Sequence, residues 1–364
     1  MAGVYISYPF CGQKCTFCNF ASGVMPAQLE TEYGVELQRE IQLHSWAWTP
    51  ETVYLGGGTP SRMDAGTLRA TLAAVPGAPW VEATLEVAPG DVSEERATAW
   101  QRCGINRVSL GVQSFIDSEL KRTGRRHNAA IVEREIGILR HAGIDRINID
   151  LIAGLPFQTC ASWIESLEWI DRLRPEHVSV YMLEVDRDSL LGLEILDGGA
   201  RYGAQSVPSD ELTADLYELA VERLAQAGIQ RYEISNFARP GFESRHNLKY
   251  WLLEPYAGFG ADAHSFDGIL RRENAETPAE YVRLMRTTTC ACTAQTPADT
   301  AGERFFVGLR LSAGMRPRDE EWLRFDAPIR RFVDEGLLEI DGGLLRLTAR
   351  GVLLSNEVFQ EFLG

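Results

Sequence analysis

Tyr5-Ile6-Ser7-Tyr8-Pro9-Phe10-Cys11-Gly12-Gln13-Lys14-Cys15-Thr16-Phe17-Cys18-Asn19-Phe20 decides how the rest of the chain is read. A β-branched, aromatic run leads into a loop with three cysteines at C-x3-C-x2-C spacing. Thiolates at short fixed spacings hold iron–sulfur clusters. Three of them leave the fourth iron of a [4Fe–4S] cube open to a small molecule. Structural zinc wants four ligands, usually as two pairs, and no further Cys or His follows within the next twenty residues. Disulfide staples belong to small secreted domains rather than to a chain of 364 residues. The loop therefore reads as a reactive cluster site on Cys11, Cys15 and Cys18.

Composition narrows the class. Apolar residues make up 45% of the chain, enough for a large core, and the formal net charge is −15. That balance argues against non-specific nucleic-acid binding, which rests on Lys and Arg neutralising phosphates. The chain begins almost at once with a strand and lacks a charged-then-apolar leader. No apolar run approaches the ~18 residues of a membrane span. Seven cysteines, three of them clustered, fit a reducing compartment. The expectation is a cytoplasmic protein without a nucleic-acid partner or a membrane span.

Working outward from the cysteine loop, apolar runs alternate with segments of helical period. Strands are predicted at Val4–Ser7, Thr52–Leu55, Ala83–Val87, Arg107–Leu110, Ile147–Ile152 and His177–Met182. Helices are predicted near Ala27–His44, Ala65–Val75, Ser93–Arg102, Ala129–Ala142 and Ser162–Leu173. Six strand–helix units imply an α/β fold with a parallel sheet, too few for a closed eightfold barrel, hence a partial (β/α)6 barrel. Unusual groups fall where each run ends: the cysteine loop, Gly56-Gly57-Gly58-Thr59-Pro60-Ser61, Glu86, Gly111-Val112-Gln113-Ser114, Asp150, and Tyr181 to Glu184. Strand C-terminal ends are where barrel enzymes keep their chemistry.

Beyond Met182, Ser209–Ala227 reads as a helix and Arg231–Ser235 as a strand. Gly258–His264 reads as a tight loop and Thr287–Thr300 as a linker. Gly302–Gly364 reads as a small helical, winged-helix-like domain with an apolar hairpin near Gly336–Leu347. The expected organisation is a barrel over 1–235, an extension over 236–300 and the small domain over 301–364. Cys103, Cys160, Cys290 and Cys292 read as small apolar residues.

Glycines at 56–58 allow close backbone approach and unusual φ, so their N–H groups could meet a ligand, although such a run also makes ordinary turns. Glu86 and Asp150 end strands on one face, where a buried carboxylate must be hydrogen-bonded or paired; a salt bridge or helix cap is the plainer reading. His246 taken alone reads as a buried or surface histidine with ordinary partners.

Tyr5-x-x-x-Pro9-Phe10-Cys11-x3-Cys15-x2-Cys18 followed by Gly56-Gly57-Gly58-Thr59-Pro60-Ser61 resembles the radical S-adenosylmethionine superfamily. Within it the chain is similar to the oxygen-independent coproporphyrinogen III oxidase branch, through Gly111–Phe115, Asn148–Leu151, Gly154-Leu155-Pro156 and Tyr232–Arg239. The resemblance implies a [4Fe–4S] cluster on the three cysteines, with S-adenosylmethionine on the fourth iron. It also implies contacts to that cofactor from Tyr5, Gly57, Gly58, Thr59, Glu86, Gln113, Arg125 and Asp150. Arg125 suits a carboxylate, which a guanidinium pairs bidentately.

Phe20 stands where oxidases of the branch carry a fourth cysteine, and the long N-terminal extension of those enzymes is missing. Both features turn the resemblance toward the branch's heme chaperones. So does His246-Asn247-Leu248-Lys249-Tyr250-Trp251, which matches their heme-linked H-N-x-x-Y-W signature and implies heme on His246, with His264 a second candidate. Asn19, Ser7, Tyr8 and Ser244 depart from residues common in the branch. Two functions stay open: a chaperone delivering heme to an acceptor hemoprotein, and an oxidase decarboxylating two propionates of coproporphyrinogen III. A tRNA-modifying enzyme is disfavoured by the acidic balance. Both open functions imply an electron donor, and the sequence leaves a homodimer open.

Overall fold

The computed structural model describes residues 2–363; Met1 and Gly364, where the first and last predicted domains begin and end, lie outside them. Six strands run parallel in sequence order: β1 (Ala2–Tyr8), β2 (Pro50–Gly57), β3 (Glu82–Val87), β4 (Arg107–Gln113), β5 (Arg146–Ala153) and β6 (His177–Met182). The helices between them are α1 (Ala27–Leu43), α2 (Ala65–Ala73), α3 (Glu94–Arg102), α4 (Asp117–Arg122), α5 (Ala129–His141) and α6 (Cys160–Leu173). Each expected strand is present, with ends a residue or more longer for all but β6. The strand pleat sends Val4, Ile6, Val53 and Leu55 against Leu37 and Ile41 of α1 in a dry core. Each such side chain contributes roughly 1.5–3 kcal/mol.

The six strands do not close on each other. The sequence continues through α7 (Leu190–Leu196), α8 (Asp210–Gln226), β7 (Gln230–Arg231), β8 (Asn236–Ala238), α9 (Arg245–Trp251) and β9 (Tyr256–Phe259). Strand β9 pairs with the free edge of β1, and β8 with the free edge of β6. Strands β10 (His264–Phe266), β11 (Leu270–Asn274) and, after α10 (Pro278–Thr288), β12 (Cys292–Pro297) extend the β9 side. The result is an open, partial barrel in a mixed sheet of twelve strands.

Four local expectations are corrected. The predicted linker over 287–300 holds β12, which pairs with β11; its mostly exposed Thr and Gln side chains hid an edge strand. Gly258 and Phe259 belong to β9 rather than to a loop, and the turn is confined to Gly260–Ala263. The predicted strand Arg231–Ser235 ends at Arg231, and the chain turns back over residues 232–235 into β8, which pairs antiparallel with β7. Cys160 and Cys290 are exposed rather than packed.

The C-terminal segment consists of α11 (Thr300–Gly308), α12 (Asp319–Arg324), α13 (Asp326–Asp334), the hairpin β13 (Leu338–Asp341) with β14 (Leu344–Leu347), α14 (Ala349–Leu353) and α15 (Ser355–Gln360). The hairpin lies where its apolar pattern put it. Among the described residues no helix is long and apolar enough to cross a membrane.

Candidate functional site

The C-terminal ends of the six parallel strands surround one cavity of about 420 Å3. Cys11, Cys15 and Cys18 line it, with Gly57, Gly58, Thr59, Glu86, Gln113, Arg125, Asp150 and Tyr181. Thus all six groups that the sequence placed at strand ends share one chamber.

The cysteine loop is a tied structure. Cys11 N–H donates to Gly23 O at 2.8 Å and Gly23 N–H to Pro9 O at 3.0 Å, which closes its base. Thr16 anchors the far side: its N–H donates to Thr123 O at 3.3 Å, and its carbonyl accepts from Leu191 N–H at 2.8 Å. Gln13 Nε2 donates to Gly124 O at 2.7 Å. The three cysteines are free thiols, and among the described residues the sole hydrogen-bond contact of their sulfurs is Cys18 Sγ to Ser22 Oγ at 4.0 Å. Burial pushes the Cys15 thiol up, Arg125 opposes this, and Cys18 and Cys11 add to it. Bound metal would relieve that mutual repulsion by holding the thiolates. Among the described residues no three Cys, His, Asp or Glu side chains are grouped as ligands of a single metal ion. A cubane asks for something else, one thiolate per iron, and three unpaired thiols on one chamber wall fit it.

Gly58 is required by contact. A Cβ there would lie 2.8 Å from Phe10 O, so the β2 turn can press against the cysteine loop only as glycine. In the structure the N–H groups of this stretch are bonded within the chain. Gly57 N–H donates to Glu86 Oε2 at 3.2 Å, Gly58 N–H to Tyr8 O at 2.8 Å and Thr59 N–H to Phe10 O at 2.9 Å. The stretch builds the wall and orients Glu86.

Glu86 also accepts from Tyr54 Oη at 2.8 Å. Burial, with repulsion from Asp150, pushes its carboxyl up to about 7, against the pull of the Tyr54 hydrogen bond. Asp150 accepts from Asn148 Nδ2 at 2.7 Å and Ser109 Oγ at 3.1 Å, and burial raises its pKa as well. Gln113 sits at φ 70° beyond a register break in the β4–β5 ladder. Bulges of this sort re-aim side chains beside sites, and here the amide lines the chamber. Arg125 runs past Gly111, whose missing Cβ would lie 3.3 Å from Nη2. Its buried Nε has no hydrogen-bond partner and its guanidinium no ion pair among the described residues. The side chain is half-buried at the chamber wall, and a guanidinium without a partner there suits an anion.

Tyr5 lies one layer below the chamber lining, stacked on Tyr54 at 6.2 Å between ring centres. Tyr54 and Ser109 line the chamber and were missed; the two-residue strand period places Tyr54 on the face of Gly56, which was the available signal.

The structure does not bring His246 to the chamber. It lies at the opposite end of the barrel, where α9 plugs the strand N-termini, and is 1% exposed. Its Nδ1 bonds Thr52 Oγ1 at 2.9 Å and its Nε2 bonds Tyr250 Oη at 2.8 Å. Burial, with Lys249 and Arg107 nearby, lowers its pKa to about 3. Gly3 is the close-packed neighbour, since a Cβ there would lie 3.1 Å from the imidazole. Buried Glu82 receives the α9 N-terminus, accepting from His246 N–H at 2.9 Å and Arg245 N–H at 3.1 Å, a favourable use of the helix dipole. Ser244 caps α9 and also donates to Glu82 at 3.3 Å. Trp251 stacks under the Arg310 guanidinium at 4.5 Å. His264 is half exposed on β10 beside Glu273.

Residues 5–170 match the family model of the Radical SAM superfamily, and residues 295–354 that of the HemN C-terminal domain. The chain is 33% identical to the Heme chaperone HemW of Bacillus subtilis over the whole of both chains. It is 33% identical to the Heme chaperone HemW of Escherichia coli over 77% of this chain and 75% of that one. Among solved structures it resembles coproporphyrinogen III oxidase (HemN) from Escherichia coli, with a TM-score of 0.85 and 21% identity over 99% of this chain and 89% of that one. That last likeness establishes the fold.

Proposed function

We propose, for a chain that belongs to the radical S-adenosylmethionine superfamily and within it to the family of the HemW heme chaperones, that it binds heme and hands it to an acceptor protein. The observation that carries this reading is the end-to-end similarity to a curated heme chaperone. The chamber supports the superfamily's cofactors. Cys11, Cys15 and Cys18 would hold a [4Fe–4S] cluster, which, when reduced, supplies one electron to the sulfonium of S-adenosylmethionine.

The chain's own residues then divide the binding work. Arg125 offers an unpaired guanidinium to the methionine carboxylate. Glu86, poised near neutrality, accepts hydrogen bonds from the cofactor's amine or hydroxyls, and Asp150 does the same across the chamber. Gln113 supplies an amide on the chamber wall between them. The wall from Gly57 to Thr59 sets the distance between the cysteine loop and the nucleoside.

The test is anaerobic. Protein with reconstituted cluster, reductant and S-adenosylmethionine is given coproporphyrinogen III in one vessel, and in another is loaded with heme and mixed with a heme-free hemoprotein. Unchanged tetrapyrrole mass and heme movement into the acceptor are expected. Stepwise loss of two propionate carboxyls would make the protein an oxidase instead.

A further inference from the structure

The chamber's mouth combines two features that point to one kind of ligand. The first is apolar. Phe20 is 63% exposed, Phe157 45%, Val185 43% and Leu190 46%. Large apolar side chains normally turn inward, and a cluster of exposed ones marks a binding surface. Thr16 ties the cysteine loop to the turn after α4 through its amide and to the start of α7 through its carbonyl, Arg122 at the end of α4 lies over Phe157, and Val185 follows the chamber-lining Glu184, which brings these side chains to one rim.

The second feature is charge. In a chain of net charge −15, Lys121, Arg122, Arg125 and Arg126 fall within six residues. Among the described residues none of the four has an ion-pair partner. Arg122 lies over the Phe157 ring at 5.0 Å, at the junction of the apolar and cationic parts. Across the loop, Lys14 lines the mouth with its ammonium bound to Phe20 O alone, at 3.1 Å. Glu184 also lines the mouth, held by Asn19 Nδ2 at 3.4 Å.

We propose that heme docks on this rim, its macrocycle against Phe20, Phe157 and Leu190 and its propionates toward Lys14 and Arg122. Glu184 sets the orientation by repelling the carboxylates from its own side. This rests on the heme-chaperone reading and assigns that reading's ligand to the mouth of the cluster chamber rather than to His246. Flat aromatic and aliphatic side chains take a macrocycle's faces, and unpaired cations at an apolar edge take its carboxylates.

The experiment is hemin titration of the full chain, followed by the Soret band, with Phe20→Ser, Lys14→Glu/Arg122→Glu and His246→Gln. All rim positions are on the surface, so the rim variants keep the fold, which circular dichroism checks. Affinity is expected to fall at least about tenfold in each rim variant and to change less than about twofold in His246→Gln. Iron-free protoporphyrin should compete, its dimethyl ester should compete poorly, and salt should weaken binding in wild type but not in the charge-reversed variant. Wild-type affinity in the rim variants, with or without loss of acceptor association, would overturn the proposal and leave the chaperone reading in place. A wild-type chain that binds no hemin would overturn both.

Discussion

The two ends of the barrel use similar residues to opposite purpose. At the strand N-termini, His246, Tyr250, Thr52, Glu82 and Ser244 form a closed set in which both imidazole nitrogens, the helix amides and the carboxylate have partners. At the C-termini, three thiols and a guanidinium face an open chamber with almost nothing to bind. Satisfied buried groups hold a fold; unsatisfied ones wait for a ligand. A sequence motif linked to heme thus lies at the closed end, and the groups left without partners lie at the open one.

The largest effect that sharpens this contrast is Cys15→Ser. It should abolish the visible absorbance of the reconstituted cluster and S-adenosylmethionine binding, with the far-ultraviolet circular dichroism unchanged. If the cluster forms normally, the chamber assignment breaks. Next, His246→Ala should lower stability by about 3 kcal/mol, since it strips partners from two buried hydroxyls and opens a cavity, read as a shifted denaturant midpoint. A variant as stable as wild type would show that the α9 end is not a structural plug. Arg125→Met should weaken S-adenosylmethionine roughly 10–100-fold, about 1.5–3 kcal/mol for a charge-assisted hydrogen bond, with iron content unchanged; equal affinity in dialysis would remove its role.

Glu86 and His246 shift stability with pH in opposite senses. The folded Glu86 carboxyl titrates near 7, above its usual value, so the folded state binds the extra proton. Its contribution to stability is therefore lost as pH rises from about 4.5 through 7. The folded His246 titrates near 3, below its usual value, so the unfolded state binds the extra proton and stability is lost as pH falls from about 6.5 toward 3. Denaturant midpoints against pH should show both limbs. Glu86→Gln should flatten the first and His246→Gln the second, and the reverse pairing would break the comparison.

Much of the open end was legible because glycine, thiol and carboxylate residues interrupt apolar strand runs at positions where nothing in a core would need them. The six strands and their helices followed from that alternation. The polar column inside the barrel was less visible. Asn148, which donates to Ser109, Asp150 and Ser179, and His177, held between Asn148 Oδ1 and Tyr232 Oη, look in sequence like surface residues of a half-exposed strand. Only the curvature of the sheet turns that face inward. The place of His246 was not legible, because a motif states which residues occur together and not which end of the barrel its helix closes. The edge strand β12 escaped because both its faces are largely polar.

The central claim is that three cysteines hold a cubane whose fourth iron is open. Mössbauer spectra of the 57Fe-reconstituted protein, recorded with and without S-adenosylmethionine, test it directly. One iron site in four should shift when the cofactor is added, and that shift should weaken in Arg125→Met. Four sites that stay unchanged at saturating cofactor would mean the cluster is closed by the protein, and the account would be wrong.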